Sequence, residues 1–168
     1  MVRGWLIVAL EGCIDLIALE DIAQPGATSV NRASYNVLII AMRAIELSEE
    51  NSVLYCLDIV KGLTSLVINA RGQFRNPLVS PVTCPTALCL LDNEVFVGDT
   101  SGQLYRYRGG GNELTIIDSI CIGEEVTAIS VSGPRELLYG TKTGRLSRLT
   151  LPPIDPDLNV ESISPAEN

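Results

Sequence analysis

Apolar residues in this chain fall in short runs separated by turn residues, and one such segment recurs. VFVGDTSGQLYRYR at 95–108 reappears as LLYGTKTGRLSRLT at 137–150, forty-two residues later. A further apolar run precedes each copy, at 85–90 and at 126–131. Each unit therefore predicts an apolar strand, a turn, a second apolar strand, a glycine turn and a third strand. Residues 113–122 supply a fourth strand to the first of these units.

Two weaker copies precede this pair. Residues 5–18 align with 95–108 without gaps in hydrophobic pattern, and 53–68 form another strand–turn–strand after the apolar run at 37–42. One glycine marks the turn of each predicted hairpin, where a positive φ angle costs glycine nothing. These turn glycines are Gly12, Gly62, Gly102 and Gly144.

The first two strands of each unit are almost continuously apolar, which is typical of strands covered on both faces. The third strand alternates, with Tyr105 and Tyr107 on one face and arginines on the other. We therefore expect a set of apolar side chains to be buried between neighbouring units. They are Ala87, Leu88, Ala128, Ile129 and Leu138. Residues 41–51 run against the pattern, because their composition favours helix.

Four strands in about forty residues is the size of one propeller blade. The unit at 126–150 resembles WD-repeat and related β-propellers in its apolar and glycine positions. The chain has no histidine, so the Gly-His signature of that family is absent, and Tyr107-Arg108 and Leu149-Thr150 stand at its Trp-Asp position. The resemblance is to a divergent WD-like propeller. It implies an all-β fold, a partial β-propeller of about three and a half four-stranded blades.

The predicted blades do not close a ring. Residue 5 already aligns with the second strand of a unit, and prolines after residue 151 remove the donors that a last strand needs. We therefore predict an incomplete ring of blades over 1–151 and an acidic, proline-containing tail or linker over 152–168.

Closed propellers normally hold four to eight blades. Other protein subunits, a second copy of the chain, or further sequence of a longer protein are therefore expected to complete the ring, with an interface near 1–19 and 136–151. An isolated chain is not expected to form a closed monomer.

Charge and composition restrict the other partners. The net charge is −8 with two lysines, which argues against nucleic acid, since phosphate neutralisation needs clustered Lys or Arg. The apolar runs are too short to span a membrane. Four arginines form one basic cluster, predicted to be a solvated outer edge or, alternatively, a contact for an acidic partner. They are Arg106, Arg108, Arg145 and Arg148.

Five cysteines form no Cys-x-x-Cys pair, and each is flanked by strand residues. They predict buried thiols in a reducing compartment, the cytoplasm or alternatively the nucleus.

Without histidine there is no Ser-His-Asp machinery and no Cys/His zinc site. Asp99 to Gly102 consists of ordinary turn residues. Asp15, Asp58 and Asp99 do not align in the repeat, so neither a metal nor another cofactor is predicted. We expect a non-catalytic protein-interaction scaffold. The alternative is a propeller-fold enzyme domain whose central-channel active site is completed by another chain.

Overall fold

The structure, a computed structural model, describes residues 4–10, 13–19, 30–35 and 37–152. Strands make up 70% of the described residues, and no helix is formed among them. The strands in chain order are β1 (Trp5–Leu10), β2 (Cys13–Ala18), β3 (Val30–Ala33), β4 (Ile39–Glu46), β5 (Asn51–Asp58), β6 (Gly62–Asn69), β7 (Phe74–Ser80), β8 (Pro85–Leu91), β9 (Glu94–Asp99), β10 (Gln103–Gly110), β11 (Glu113–Cys121), β12 (Val126–Gly133), β13 (Glu136–Thr141) and β14 (Leu146–Thr150).

These strands form four antiparallel sheets in which every strand pairs with its neighbour along the chain. The first sheet is β1-β2-β3, the second β4-β5-β6-β7, the third β8-β9-β10-β11 and the fourth β12-β13-β14. The all-β expectation is therefore confirmed. The two middle sheets have four strands each, and each end sheet has three, which matches the expected three and a half blades.

Three apolar layers hold the sheets together. Ile14 and Leu16 of the first sheet pack with Leu54 and Leu66 of the second. Tyr55 and Leu57 pack against residues of the third sheet such as Val97 and Tyr107, and Phe96 and Leu104 of the third pack with Leu137 of the fourth. The first strands of successive sheets also lie together, since β8 contacts both β4 and β12.

Three of the four predicted turn glycines lie in the described residues, and all three have positive φ. The angle is 89° at Gly62, 84° at Gly102 and 85° at Gly144. A side chain rarely adopts this backbone conformation. Gly12 lies outside the described residues, although the strands on either side of it pair with Leu10 opposite Cys13. The predicted tail also lies outside them, apart from Pro152.

Gly102→Val should lower the free energy of unfolding by about 1–3 kcal/mol more than Gly144→Val. Both substitutions force a β-branched residue into positive φ. A Cβ at Gly102 would also lie 2.6 Å from the Glu124 backbone nitrogen, whereas nothing lies within 4 Å of one at Gly144. Urea denaturation of the two variants measures the difference, and equal losses would show that crowding at Gly102 is relieved by movement of the neighbouring backbone.

The burial expected between the units holds for the third sheet and fails in part for the fourth. Ala87 and Leu88 are buried, but Ala128 is exposed, and Ile129 and Leu138 are half-buried. The physical reason is that, within the part of the chain that the structure describes, a neighbouring sheet lies against only one face of the fourth sheet. Leu137, on that face, is fully buried.

Candidate interaction surface

Each end sheet has one face that no other described part of the chain covers. On the fourth sheet this open face comprises Ala128, Ser130, Glu136, Leu138, Gly140, Leu146 and Arg148. These positions alternate with residues such as Ile129 and Leu137, which face the third sheet. Leu146 is 71% exposed, although it lies in a strand.

The first sheet has the corresponding open face at the other end of the stack. It carries Leu6, Val8, Leu10 and Ile17, and of these Leu6 and Leu10 are exposed. On the same face Asp15 accepts from Arg32 through both carboxylate oxygens, with Nε and Nη2 each at 2.7 Å. This hydrogen bonding holds the pKa of Asp15 below its usual range. The face is therefore apolar with one fixed ion pair.

The four arginines predicted to form a basic cluster are not brought together. Arg106 is buried and makes a bidentate ion pair with Glu94 at 2.7 Å, so its assignment to a solvated edge or an acidic-partner contact is wrong. The alternation along β10 predicts which face Arg106 lies on, but it does not predict that the fourth sheet covers that face. Arg108 and Arg145 are exposed. Arg148 is exposed too, but it lies on the far side of the fourth sheet from Arg106.

The ion pair of the third sheet is repeated in the fourth. Glu136 and Arg148 lie forty-two residues after Glu94 and Arg106, and their charged atoms are 3.7 Å apart. The side chains of the first pair are 5% exposed for Arg106 and 10% for Glu94. Those of the second are 65% exposed for Arg148 and 32% for Glu136. The Glu94–Arg106 pair is therefore buried, and the equivalent Glu136–Arg148 pair is exposed to solvent.

A buried polar residue ends the second strand of three sheets. Asp58 ends β5, Asp99 ends β9 and Thr141 ends β13, and all three are buried. Asp58 and Asp99 are thus equivalent, contrary to the expectation from sequence. The two turns have the same length, but the glycine comes four residues after Asp58 and three after Asp99, and an alignment on the glycines concealed the equivalence. A carboxylate followed by a glycine three or four residues later was the signal available in the sequence.

The carboxylates of Asp58 and Asp99 accept hydrogen bonds that hold the hairpin turns in place. Asp58 accepts from four backbone N–H groups, those of Val60 and Lys61 at one oxygen and those of Val37 and Leu38 at the other. Burial alone would raise the pKa of Asp58, but these donors hold it below its usual value. Asp58 therefore ties the β5–β6 turn to the segment that enters β4.

Asp99 and Thr141 act in the same way in their own sheets. Asp99 accepts from Ser101 Oγ at 2.7 Å and from the Gln103 backbone nitrogen at 2.9 Å. Thr141 donates to Glu124 Oε2 at 2.8 Å, and the hydrogen bonds from Thr143 and from Thr141 lower the pKa of Glu124. These polar groups fix hairpin turns and are not aimed at a shared site.

Asp58→Asn should lower the free energy of unfolding by about 1–3 kcal/mol at neutral pH, because an amide cannot accept all four N–H donors and leaves some of them buried without a partner. The folded-state pKa of Asp58 is depressed, so its stabilisation is present above the unfolded pKa of 3.8 and is lost as the pH falls through the folded value. Denaturation of both proteins at pH 7 and pH 3 measures this. An equal difference in the free energy of unfolding at both pH values would contradict a role for the Asp58 charge.

Within the ranges that the structure describes, no helix is long and apolar enough to cross a membrane. The same residues hold no group of three or more Cys, Asp or Glu side chains placed to bind a metal. All five cysteines are free. Cys56 and Cys89 are buried, as expected, and Cys13 is half-buried. Cys84 and Cys121 are exposed, contrary to the expectation, because Cys84 precedes β8 and Cys121 is the last residue of β11.

Comparison with known proteins defines the fold. No protein-family model matches the sequence, and no curated protein matches it. The structure is similar to the computationally designed protein Ika4, with a TM-score of 0.60, 16% identity and coverage of 90% of this chain and 88% of that one. It is also similar to BBS1N, solved in complex with ARL6DN, with a TM-score of 0.63, 14% identity and coverage of 89% and 48%.

A third similar structure is the β-propeller domain of Cps50 (Swd1) from Myceliophteria thermophila. Its TM-score is 0.64 at 16% identity, covering 93% of this chain and 52% of that one. The chain thus spans about half the length of BBS1N and of Cps50. At this level of identity the likeness shows the fold alone, and it confirms the expected all-β, partial β-propeller architecture.

Proposed function

We propose that this chain is a non-catalytic interaction scaffold, a propeller subunit or propeller segment that acts within a larger protein assembly. The observation that carries the proposal is the exposed apolar surface on both end sheets. Leu10 is 55% exposed at one end and Leu146 is exposed at the other, each within a strand. Apolar strand faces of this kind are typical of surfaces covered by a protein partner.

Two further observations support it. BBS1N, which shares the fold, is itself in complex with another protein, ARL6DN. The buried carboxylates of Asp58 and Asp99, which a catalytic role would use, accept from backbone and hydroxyl donors in their own turns and, for Asp58, also from the backbone that enters β4. The five free thiols support a reducing compartment, the cytoplasm or the nucleus.

The test is the composition of the complex that the chain forms in the cells that produce it. Native mass spectrometry of the tagged chain should show a stoichiometric protein partner. Leu10→Glu or Leu146→Glu should abolish binding of that partner, because binding would then bury an unpaired charge on an open face. The matched control is Val60→Glu, which changes an exposed apolar residue in a turn and should leave the complex intact. A chain that stays at 18.1 kDa without a partner contradicts the proposal.

A further inference from the structure

The repeat shows what the open face of the fourth sheet is shaped to receive. On the third sheet, the face that contacts the fourth includes six buried residues. They are Ala87, Cys89, Glu94, Phe96, Leu104 and Arg106. The residues forty-one or forty-two positions later all lie on the open face of the fourth sheet, in the same arrangement. They are Ala128, Ser130, Glu136, Leu138, Leu146 and Arg148.

Two contacts at β12 hold the fourth sheet on the third. Thr86 Oγ1 donates a hydrogen bond to the Val126 carbonyl, which joins the first strands of the two sheets. Gly98 makes room for the Val126 side chain, since a Cβ there would lie 2.6 Å from Val126 Cγ1.

The fourth sheet also places two residues beside the buried ion pair. Arg135, in the turn between β12 and β13, and Leu151, which follows β14, line a cavity of about 220 Å³ together with Glu94 and Arg106. The arginine of that pair is therefore shielded by the sheet that follows it.

The fourth sheet carries the same three features without an occupant among the described residues. Thr127, the equivalent of Thr86, is exposed, and its hydroxyl donates within its own sheet to the Gly140 carbonyl at 3.2 Å. Gly140, the equivalent of Gly98, has no atom closer than 3.7 Å to a Cβ built on it. The Glu136–Arg148 pair is exposed.

We propose that the open face of the fourth sheet is a docking surface for a further propeller blade carried by a partner protein. The inner strand of that blade lies along β12, with a backbone carbonyl accepting from Thr127 and a β-branched side chain against Gly140. The remainder of the blade covers Leu146 and the Glu136–Arg148 pair. This inference rests on the proposed function and names the kind of partner.

The geometry favours such a partner over a second copy of the chain. A second copy offers its first sheet, whose inner edge is β1, a strand that aligns with the second strand of the other sheets. No strand among its described residues would then lie along β12.

The test adds a known blade to this face. Residues 123–152 are duplicated after Pro152, so that the added sheet brings its own Val126 and the surface that fits the third sheet. Leu146→Cys is introduced in the original sheet, in a background in which Cys84 and Cys121 are serine. The rate of N-ethylmaleimide labelling at residue 146 is then measured by peptide mass spectrometry, with and without the extension.

We expect the extension to slow labelling at residue 146 at least tenfold. Val60→Cys, exposed in a distant turn, should be labelled at one rate in both proteins. A matched extension with Val126→Asp in the added copy should restore fast labelling, because docking would bury an unpaired carboxylate beside Gly140. Protection that survives this change overturns the proposed contact.

Two other outcomes overturn the proposal. Labelling at the original rate in the extended chain shows that the face does not accept a blade, whether the added residues fold apart or stay unfolded. Slow labelling in the chain without the extension, with a doubled mass in light scattering, assigns the face to a second copy. The experiment contains no partner protein, so either failure leaves the scaffold proposal to be judged by its own test.

Discussion

Arg106→Met is expected to lower the free energy of unfolding by about 3–5 kcal/mol, the loss typical of breaking a buried ion pair by removing one partner. The substitution leaves the Glu94 carboxylate buried between the third and fourth sheets without its two guanidinium donors. Arg148→Met changes the equivalent residue of the next repeat. Because that pair is solvent-exposed, its loss should cost less than about 1 kcal/mol.

Urea denaturation of the two variants separates these values. The double variant Glu94→Leu, Arg106→Met serves as the control, since replacing both members of a buried pair with apolar side chains removes the unpaired charge and should recover most of the loss. Similar losses at Arg106 and Arg148 would contradict the difference in burial on which the interpretation of the two faces depends.

Leu104→Ala is expected to cost about 2–5 kcal/mol, the range for truncating a buried leucine. Leu104 is fully buried against the fourth sheet. Leu146 is its equivalent forty-two residues later and is 71% exposed, so Leu146→Ala should change stability by no more than about 0.5 kcal/mol. The two substitutions remove the same atoms from the same repeat position, and they differ in whether a sheet covers it.

Thermal and urea denaturation both report this difference. A loss above about 2 kcal/mol for Leu146→Ala in the isolated chain would mean that the position is already covered, for example by self-association. Repeating the measurement over a tenfold range of protein concentration distinguishes that case, because self-association makes the midpoint depend on concentration.

The sequence predicts the strands of this fold well because each one is encoded locally. The apolar runs and positive-φ glycines of the segments at 95–108 and 137–150 specify the same hairpin twice, and both hairpins form with the same pairing, Leu104 opposite Gly98 and Leu146 opposite Gly140. The sequence alignment describes the first hairpin, β1–β2, less accurately. Two residues separate β1 from β2, whereas three separate β9 from β10, so the ungapped alignment of 5–18 shifts by one residue across the turn.

Composition misleads at residues 41–51, where helix-favouring side chains form strand β4 and the start of β5. Pairing with β5 and the packing of Ala41 and Ile45 on the core between the second and third sheets outweigh the local preference. The intrinsic difference between helix and strand for such residues is small compared with burial of one apolar face.

The sites were harder to predict than the strands, because the chemistry of a side chain here depends on what lies over it. Arg106 and Arg148 are indistinguishable in the repeat, and one is a buried structural ion-pair residue while the other is exposed. Ala87 and Ala128 differ in the same way. The local sequence does not show which sheet has a neighbour on each face. Burial at equivalent positions therefore depends on whether another sheet covers them, and not on the type of residue.

The pairing of every strand with its sequence neighbour has a consequence for how this chain reaches its native state. The strands of each sheet lie within about 25 to 42 consecutive residues, so the loop-closure entropy opposing its formation is small. Folding is then free to begin at any hairpin and to spread by stacking one sheet on the next, as in other linear arrays. The two middle sheets gain a neighbour on each side, whereas the end sheets gain one. Hydrogen exchange should therefore be slowest in β5 and β9 and fastest in β1 and β14, so that opening proceeds inward from the two ends.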